Sequence, residues 1–251
     1  MKVVIDIGNT TITIGLSEDG RSIDKVYRIN TEKNKSFDEY SFTLRNFIPS
    51  CTSVIVSSVV PELNGVFRAF FSQNFNIIPQ FLGKGVKTGI QILTDNPKEV
   101  GSDIISNCVG ATSIYSETCL VIDLGTATTF SYVENKALKG VIISTGLTTS
   151  KNALISKASL LPQIELTPPK KLLGTNSADS IKAGLLYGHA SMIDGMIKRI
   201  KTEINKKDLK VILTGGHSKI VHPLTNEDII LDNRIILKGL LILLEKNKNN
   251  N

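Results

Sequence analysis

Apolar and polar positions alternate along this chain in two rhythms, and the switches between them mark its elements. Val3-Val4-Ile5-Asp6-Ile7-Gly8 reads as a buried strand over 2–8 that ends on a carboxylate. Thr11-Ile12-Thr13-Ile14 then alternates with the period of two of a second strand, over 10–17. A third strand is predicted over 24–30. Ser36 with Glu39 is a capping-box pattern, and Phe37, Tyr40, Leu44, Phe47 and Ile48 follow at helical spacing until Pro49. The apolar run 53–56 is a buried strand leading into Ser57-Ser58-Val59-Val60-Pro61. From Pro61, a favoured first helical residue, Leu63, Val66, Phe67, Phe70 and Phe71 form one core-facing stripe. A fifth strand is predicted over 76–82. An irregular excursion follows over 83–96, with Gly83, Gly85 and Gly89 as punctuation. Residues 97–103 lead into a helix to about Tyr115, with Asp103 in its first turn, where the helix dipole favours a carboxylate.

The opening pattern then returns. Leu120-Val121-Ile122-Asp123-Leu124-Gly125-Thr126-Ala127-Thr128-Thr129-Phe130 is again an apolar strand, an Asp, a glycine turn and a Thr-rich strand. A third strand is predicted over 138–144, helices over 147–158 and 179–204, and a strand over 209–213 that runs into Thr214-Gly215-Gly216-His217. A helix over 235–246 closes the chain, with 247–251 expected to fray. In the 179–204 helix, Gly184 and Gly188 leave part of one face nearly bare, which suits a close helix contact or a dimer.

One Asp-x-Gly-Thr alone is an ordinary hairpin turn. Two copies in like surroundings make a long-period repeat, and so two halves of like fold. We expect an α/β protein whose halves, 1–116 and 117–251, are each a mixed five-stranded sheet with helices. The turn N–H groups and Thr hydroxyls of each hairpin can hold phosphate oxygens. A carboxylate repels phosphate but can hold the cation that phosphate needs. Paired across a cleft, the two hairpins would clamp a nucleoside triphosphate and its metal.

Composition narrows the alternatives. The chain has 251 residues, 41% hydrophobic and 21% charged, and no apolar run long enough for a bilayer span. Its N-terminus enters a strand at once, so no secretory leader and no membrane partner are expected. Cys51, Cys108 and Cys119 lack metal-ligand spacing and read as reduced thiols of a cytoplasmic protein. The net charge of +6 is scattered through loops, and no Trp is present, so a nucleic-acid partner is not expected. Positive balance also suits anionic ligands. His189, His217 and His222 lack ligand spacing.

Several stretches together resemble the type III pantothenate kinase family of the actin-like ATPase and sugar-kinase superfamily (ribonuclease H-like lobes), over nearly the whole chain. Asp6-Ile7-Gly8-Asn9-Thr10 matches its first phosphate motif, and Ser57-Ser58-Val59-Val60-Pro61 its Ser-x-Val-Val-Pro segment. Residues 96–103 resemble the pantothenate segment, and Asp123-Leu124-Gly125-Thr126-Ala127-Thr128-Thr129 the second phosphate motif. Gly174-Thr175-Asn176-Ser177 resembles a Gly-x-Asn-Thr segment, and Leu213-Thr214-Gly215-Gly216 the adenosine-side turn.

The resemblance implies transfer of a phosphoryl group from ATP to the primary hydroxyl of pantothenate, the first step toward coenzyme A, by a homodimer. It implies that Asp6, Ile7, Gly8, Asn9, Thr10, Thr11, Ile12 and Thr13, with Thr126, Gly215 and Gly216, bind ATP. Asp6 would lie near magnesium, and Asp123 would hold potassium or ammonium. Thr94, Gly101, Ser102, Asp103, Ile104 and Ser177 would face the acceptor, with Asp103 as the general base. The chain departs from the family pattern at Ile104 (usually Arg), Thr94 (usually Tyr), Ser131 (commonly Asp), Thr145 (usually Pro) and Ser177 (usually Thr). Arg would pair a substrate carboxylate in bidentate fashion. Two other readings stay open on that ground: a nucleotide-binding homologue without kinase activity, like the accessory regulatory factors of this family, and a kinase for a neutral alcohol.

Overall fold

Strand β1 (Lys2–Ile7) sets the first sheet, because its side chains serve two cores in alternation. Val3, Ile5 and Ile7 pack with Tyr40, Leu44, Phe67, Phe70 and Phe71 on one face. Val4 packs with Ile55, Ile105, Val109, Leu237 and Leu240 on the other. All four β1 aliphatics are fully buried, each contributing about 1.5–3 kcal/mol of transfer free energy. The computed structural model describes residues 1–83, 85–158 and 161–248.

The first sheet runs β3-β2-β1-β4-β5, with β2 (Thr11–Ser17), β3 (Lys25–Asn30), β4 (Ser53–Ser58) and β5 (Gln80–Phe81). β1 is antiparallel to β2 and parallel to β4. Helices α1 (Phe37–Phe47) and α2 (Pro61–Phe75) supply the aromatic core on one face, and α3 (Ser102–Ile114) covers the other with α7 (Ile235–Lys246). Ser36 caps α1 as expected, its hydroxyl accepting from Glu39 N–H while Glu39 Oε2 accepts from Ser36 N–H at 2.8 Å.

The strand predicted over 76–82 shrinks to two residues. α2 runs to Phe75, and Asn76 closes it in the left-handed region, at φ 55°. The ladder with β4 therefore begins only at Gln80. Inside the excursion, β6 (Gln91–Ile92) pairs in parallel with Ala137 and Leu138. Nor does the chain fray at 247: Asn247 is buried, and its side chain bonds Lys87 N–H and C=O. Residues 249–251 of the expected tail lie outside the described residues.

Backbone contacts group residues 1–114, 136–138 and 234–251 into one compact unit and 115–135 with 139–233 into another. The second unit contains β7 (Cys119–Leu124), β8 (Ala127–Glu134), most of β9 (Ala137–Thr145), α4 (Leu147–Lys157), α5 (Ser177–Glu203), β10 (Lys210–Thr214), α6 (Ser218–Val221) and β11 (Ile230–Leu231). Its strands follow the order β9-β8-β7-β10-β11, the same as the first sheet. β7 is antiparallel to β8 and parallel to β10, as β1 is to β2 and β4. The sequence repeat is therefore a repeat of topology. Among the described residues no helix is long and apolar enough to cross a membrane.

Candidate active site

In each unit the Asp ends a parallel strand pair, where ligands of open α/β sheets gather. Asp6 lies opposite Thr13 and Ser57, and Asp123 opposite Thr129 and Thr214. Residues opposite in a ladder share a face, so each carboxylate is flanked on both sides by a hydroxyl residue. The turns correspond as well. Gly8 N–H donates to Thr11 C=O at 3.1 Å, and Gly125 N–H to Ala127 C=O at 3.1 Å. The third strand ties back onto each turn, through Thr31 N–H to Thr10 C=O at 3.0 Å and Gly146 N–H to Thr126 C=O at 3.1 Å. Asn9, Thr10 and Thr126 are exposed at these turns.

In the first unit a chain of hydroxyls joins Asp6 to α3. Ser57 Oγ donates to Asp6 Oδ1 at 3.0 Å and lies 3.0 Å from Ser102 Oγ. Ser102 Oγ also accepts from Ser58 N–H at 3.0 Å. The next residue is Asp103. It is half-buried, and burial raises its carboxyl above the ordinary value of 3.8, partly opposed by Ile104 N–H, which donates to Oδ1 at 2.8 Å. A Cβ at Gly101 would collide with that same oxygen, so a side chain there would push the carboxyl aside. Thr94 Oγ1, also of the first unit, is buried and has no hydrogen-bond partner among the described residues.

In the second unit Gly215 has φ 96°, and a Cβ there would strike Asp123 Oδ1 and lie 2.5 Å from Leu124 N. Glycine is what lets the Gly215-Gly216 turn sit against the end of β7. Residues with no predicted role pack beside this turn. Thr148 Oγ1 lies 3.0 Å from His217 Nε2, and Thr149 donates to Thr126 C=O at 2.8 Å, so the first turn of α4 holds the turn at Gly125-Thr126. Burial holds His217 below the ordinary value of 6.5, opposed by the Leu124 carbonyl and aided by the Lys151 charge. His189 is buried against Thr128, 2.9 Å from Nε2 to Oγ1. Only the Gly-Gly dipeptide before His217 could have flagged it. Ser177 is exposed as the first residue of α5, behind the cap Asn176, whose Oδ1 accepts from Asp179 N–H at 2.9 Å.

The donors fit the cations that the resemblance implies. One carboxylate and one hydroxyl, Asp6 and Ser57, match the sparse protein share magnesium takes beside water and phosphate oxygens. Asp123 with Thr129 and Thr214 is an oxygen-only set, suited to a hard cation. Among the described residues no three His, Cys, Asp or Glu side chains gather, so neither position is a dedicated all-protein cage. Burial pushes the Cys51 thiol up to about 11 and that of Cys119 up to about 12, which disfavours the thiolate at both.

Comparison with known proteins bears on family and fold. A family model, type III pantothenate kinase, matches residues 2–199. A type III pantothenate kinase of Acholeplasma laidlawii is 41% identical, covering 98% of this chain and 99% of its own. Another, of Halalkalibacterium halodurans, is 37% identical over 98% of this chain and 100% of its own. Among solved structures, a putative Baf family transcriptional activator from Campylobacter jejuni superposes with TM-score 0.59 at 19% identity, over 98% of this chain and 99% of that one. The activator of 2-hydroxyisocaproyl-CoA dehydratase from Clostridium difficile, with bound ADPNP, gives TM-score 0.58 at 14% identity, over 99% and 96%. These two bear on the fold alone, and the fold is the actin-like one.

Proposed function

Because the chain belongs to the type III pantothenate kinase family, and so phosphorylates pantothenate with ATP at the start of coenzyme A biosynthesis, we propose how its residues divide that work. The Asp6 hairpin, residues 6–13, takes the ATP phosphates on its turn N–H groups and Thr hydroxyls. Thr126 takes a phosphate oxygen from the second hairpin, and Gly215-Gly216 receives the nucleoside. Asp6 holds magnesium and Asp123 potassium or ammonium; bound there, these cations offset the negative charge on the transferring phosphoryl group. Asp103 orients the acceptor hydroxyl and accepts its proton as the O–P bond forms, the β–γ bridge breaks and ADP leaves. Thr94, Gly101, Ser102, Ile104 and Ser177 shape the acceptor side.

The observation that carries this assignment is the half-buried Asp103 carboxyl, positioned one residue beyond the Ser102–Ser57–Asp6 hydroxyl chain. Desolvation strengthens it as a base, and no side chain among the described residues bonds it away from a substrate. The test is ADP release with ATP, magnesium, potassium and pantothenate. Pantothenate-dependent ADP is the expected result, and its absence at high substrate would overturn the assignment.

We also propose a cytoplasmic homodimer. Beside Gly184, Gly188 and Gly195 on α5 there is open space where a Cβ would stand, and Ile143 is 69% exposed. Such a bare helix face permits close approach by a second copy. Sedimentation at micromolar concentration should give the dimer mass, and a monomer there would refute it.

A further inference from the structure

Neither phosphate turn contains a basic residue, but the register of the first sheet brings one alongside. Thr13 of β2 lies opposite Asp6 of β1 and, on its other side, opposite Arg28 of β3. Asp6 in turn lies opposite Ser57. Arg28, Thr13, Asp6 and Ser57 therefore form one row across four strands, with their side chains on one face. Farther back, that face is apolar, with Val4 and Ile55 under α3 and α7. At the carboxyl end of the sheet the row is polar throughout.

Spacing makes the row usable. Strands lie about 4.8 Å apart, so the Arg28 Cα stands roughly 10 Å from that of Asp6, with the short Thr13 side chain between. A guanidinium on its three-carbon stem spans much of that gap, and a metal-bound triphosphate spans the rest. Arg28 is also uncommitted. It is exposed, and among the described residues it makes no hydrogen bond or ion pair. The nearby Glu32 is already paired with Lys35 at 2.6 Å.

We propose that Arg28 is a triphosphate ligand, reaching across Thr13 to donate N–H bonds to phosphate oxygens held at the Asp6 hairpin. Its planar fork matches two oxygens of one phosphate, and the charge assists both bonds. This deepens the ATP assignment and rests on it. An edge-strand cation can also serve only to discourage strand pairing, and binding measurements separate the two roles.

Calorimetry on wild type, Arg28→Gln and Arg28→Lys, with magnesium and a non-hydrolysable ATP analogue or with adenosine, is the test. Arg28→Gln should weaken the triphosphate about tenfold or more and leave adenosine affinity and the ligand-free melting temperature unchanged. Arg28→Lys should restore part of the loss. Unchanged triphosphate affinity in Arg28→Gln overturns the inference and leaves the kinase assignment standing, as does equal weakening of adenosine. A wild-type protein that binds no nucleotide overturns the ATP assignment itself, and this inference with it.

Discussion

Ser57 holds Asp6 from the neighbouring parallel strand, its hydroxyl donating to Oδ1 at 3.0 Å. A carboxylate meant to hold a cation must not swing, and a charge-assisted bond from a packed strand fixes it. Ser57→Ala should therefore raise the magnesium concentration for half-maximal activity by about tenfold, the loss expected for roughly 1.5 kcal/mol of hydrogen bond to a charged group. A magnesium titration of the variant checks this. An unchanged midpoint would show that Asp6 needs no such support.

Asp103 joins function to stability. Its carboxyl is raised above 3.8 by burial, so the folded protein keeps that proton at pH values where the unfolded chain has lost it. Stability from this group is thus fully present below the unfolded value and declines as pH rises through the folded one. Asp103→Asn should raise the melting temperature at neutral pH while lowering turnover by about 10²–10⁴-fold. The acid limb of the wild-type kcat profile should lie above 3.8 and vanish in the variant's residual activity. A variant with undiminished turnover would remove Asp103 from the mechanism.

How much of this was legible beforehand depended on the range of the interaction. The Asp6 and Asp123 hairpins, the Ser36–Glu39 box and the helix stripes are written in neighbouring residues, and the structure keeps them. The partner of the last helix is not. The apolar pattern of 235–246 says that one face is buried, but nothing local says that it packs on β1 and β4 with α3. The β6 pairing with 137–138 is invisible for the same reason. Taken alone, Asp103 reads only as a carboxylate favoured in a first helical turn, and its role comes from the family resemblance; the Ser57–Ser102 contact required two segments 45 residues apart to meet. His217 escaped because a lone histidine carries no spacing signal.

Close approach of α3 and α7 depends on two glycines. A Cβ at Gly239 would collide with Ser106 C=O, and one at Gly110 would lie 2.5 Å from Ile235 C=O. Backbone cannot step aside as a side chain tip can, so Gly239→Ala should destabilise the protein by about 1–3 kcal/mol. Because α3 carries Ser102 and Asp103, kcat should fall as well, in contrast to Asp103→Asn, where stability rises. Denaturant unfolding alongside steady-state kinetics reads both.

Gly215 should be equally intolerant, for a different outcome. Its φ of 96° disfavours any L side chain, and a Cβ there would meet Asp123 Oδ1. Gly215→Ala is expected to displace that carboxylate and to weaken potassium activation more than pantothenate KM. Potassium titrations at saturating substrates measure the first, and a variant with wild-type activation would dissociate Asp123 from the cation.

The sharpest departure from the family pattern lies beside Asp103. Ile104 follows Asp103 where resemblance places an arginine, and no residue in the first two turns of α3 is cationic. A carboxylate-bearing acceptor therefore lacks, at this position, a charge-assisted partner worth about 1.5–3 kcal/mol, or roughly ten- to a hundredfold in affinity. Ile104→Arg should lower the KM for pantothenate by about that factor and leave pantothenol, which has no carboxylate, nearly unchanged. Comparing pantothenate, pantetheine and pantothenol in both proteins makes the measurement. If Ile104→Arg shifts neither, the carboxylate is met elsewhere, and Ile104 is only apolar packing at the start of α3. If wild type prefers the two uncharged alcohols, this chain's acceptor range extends beyond the carboxylate that the family's name announces.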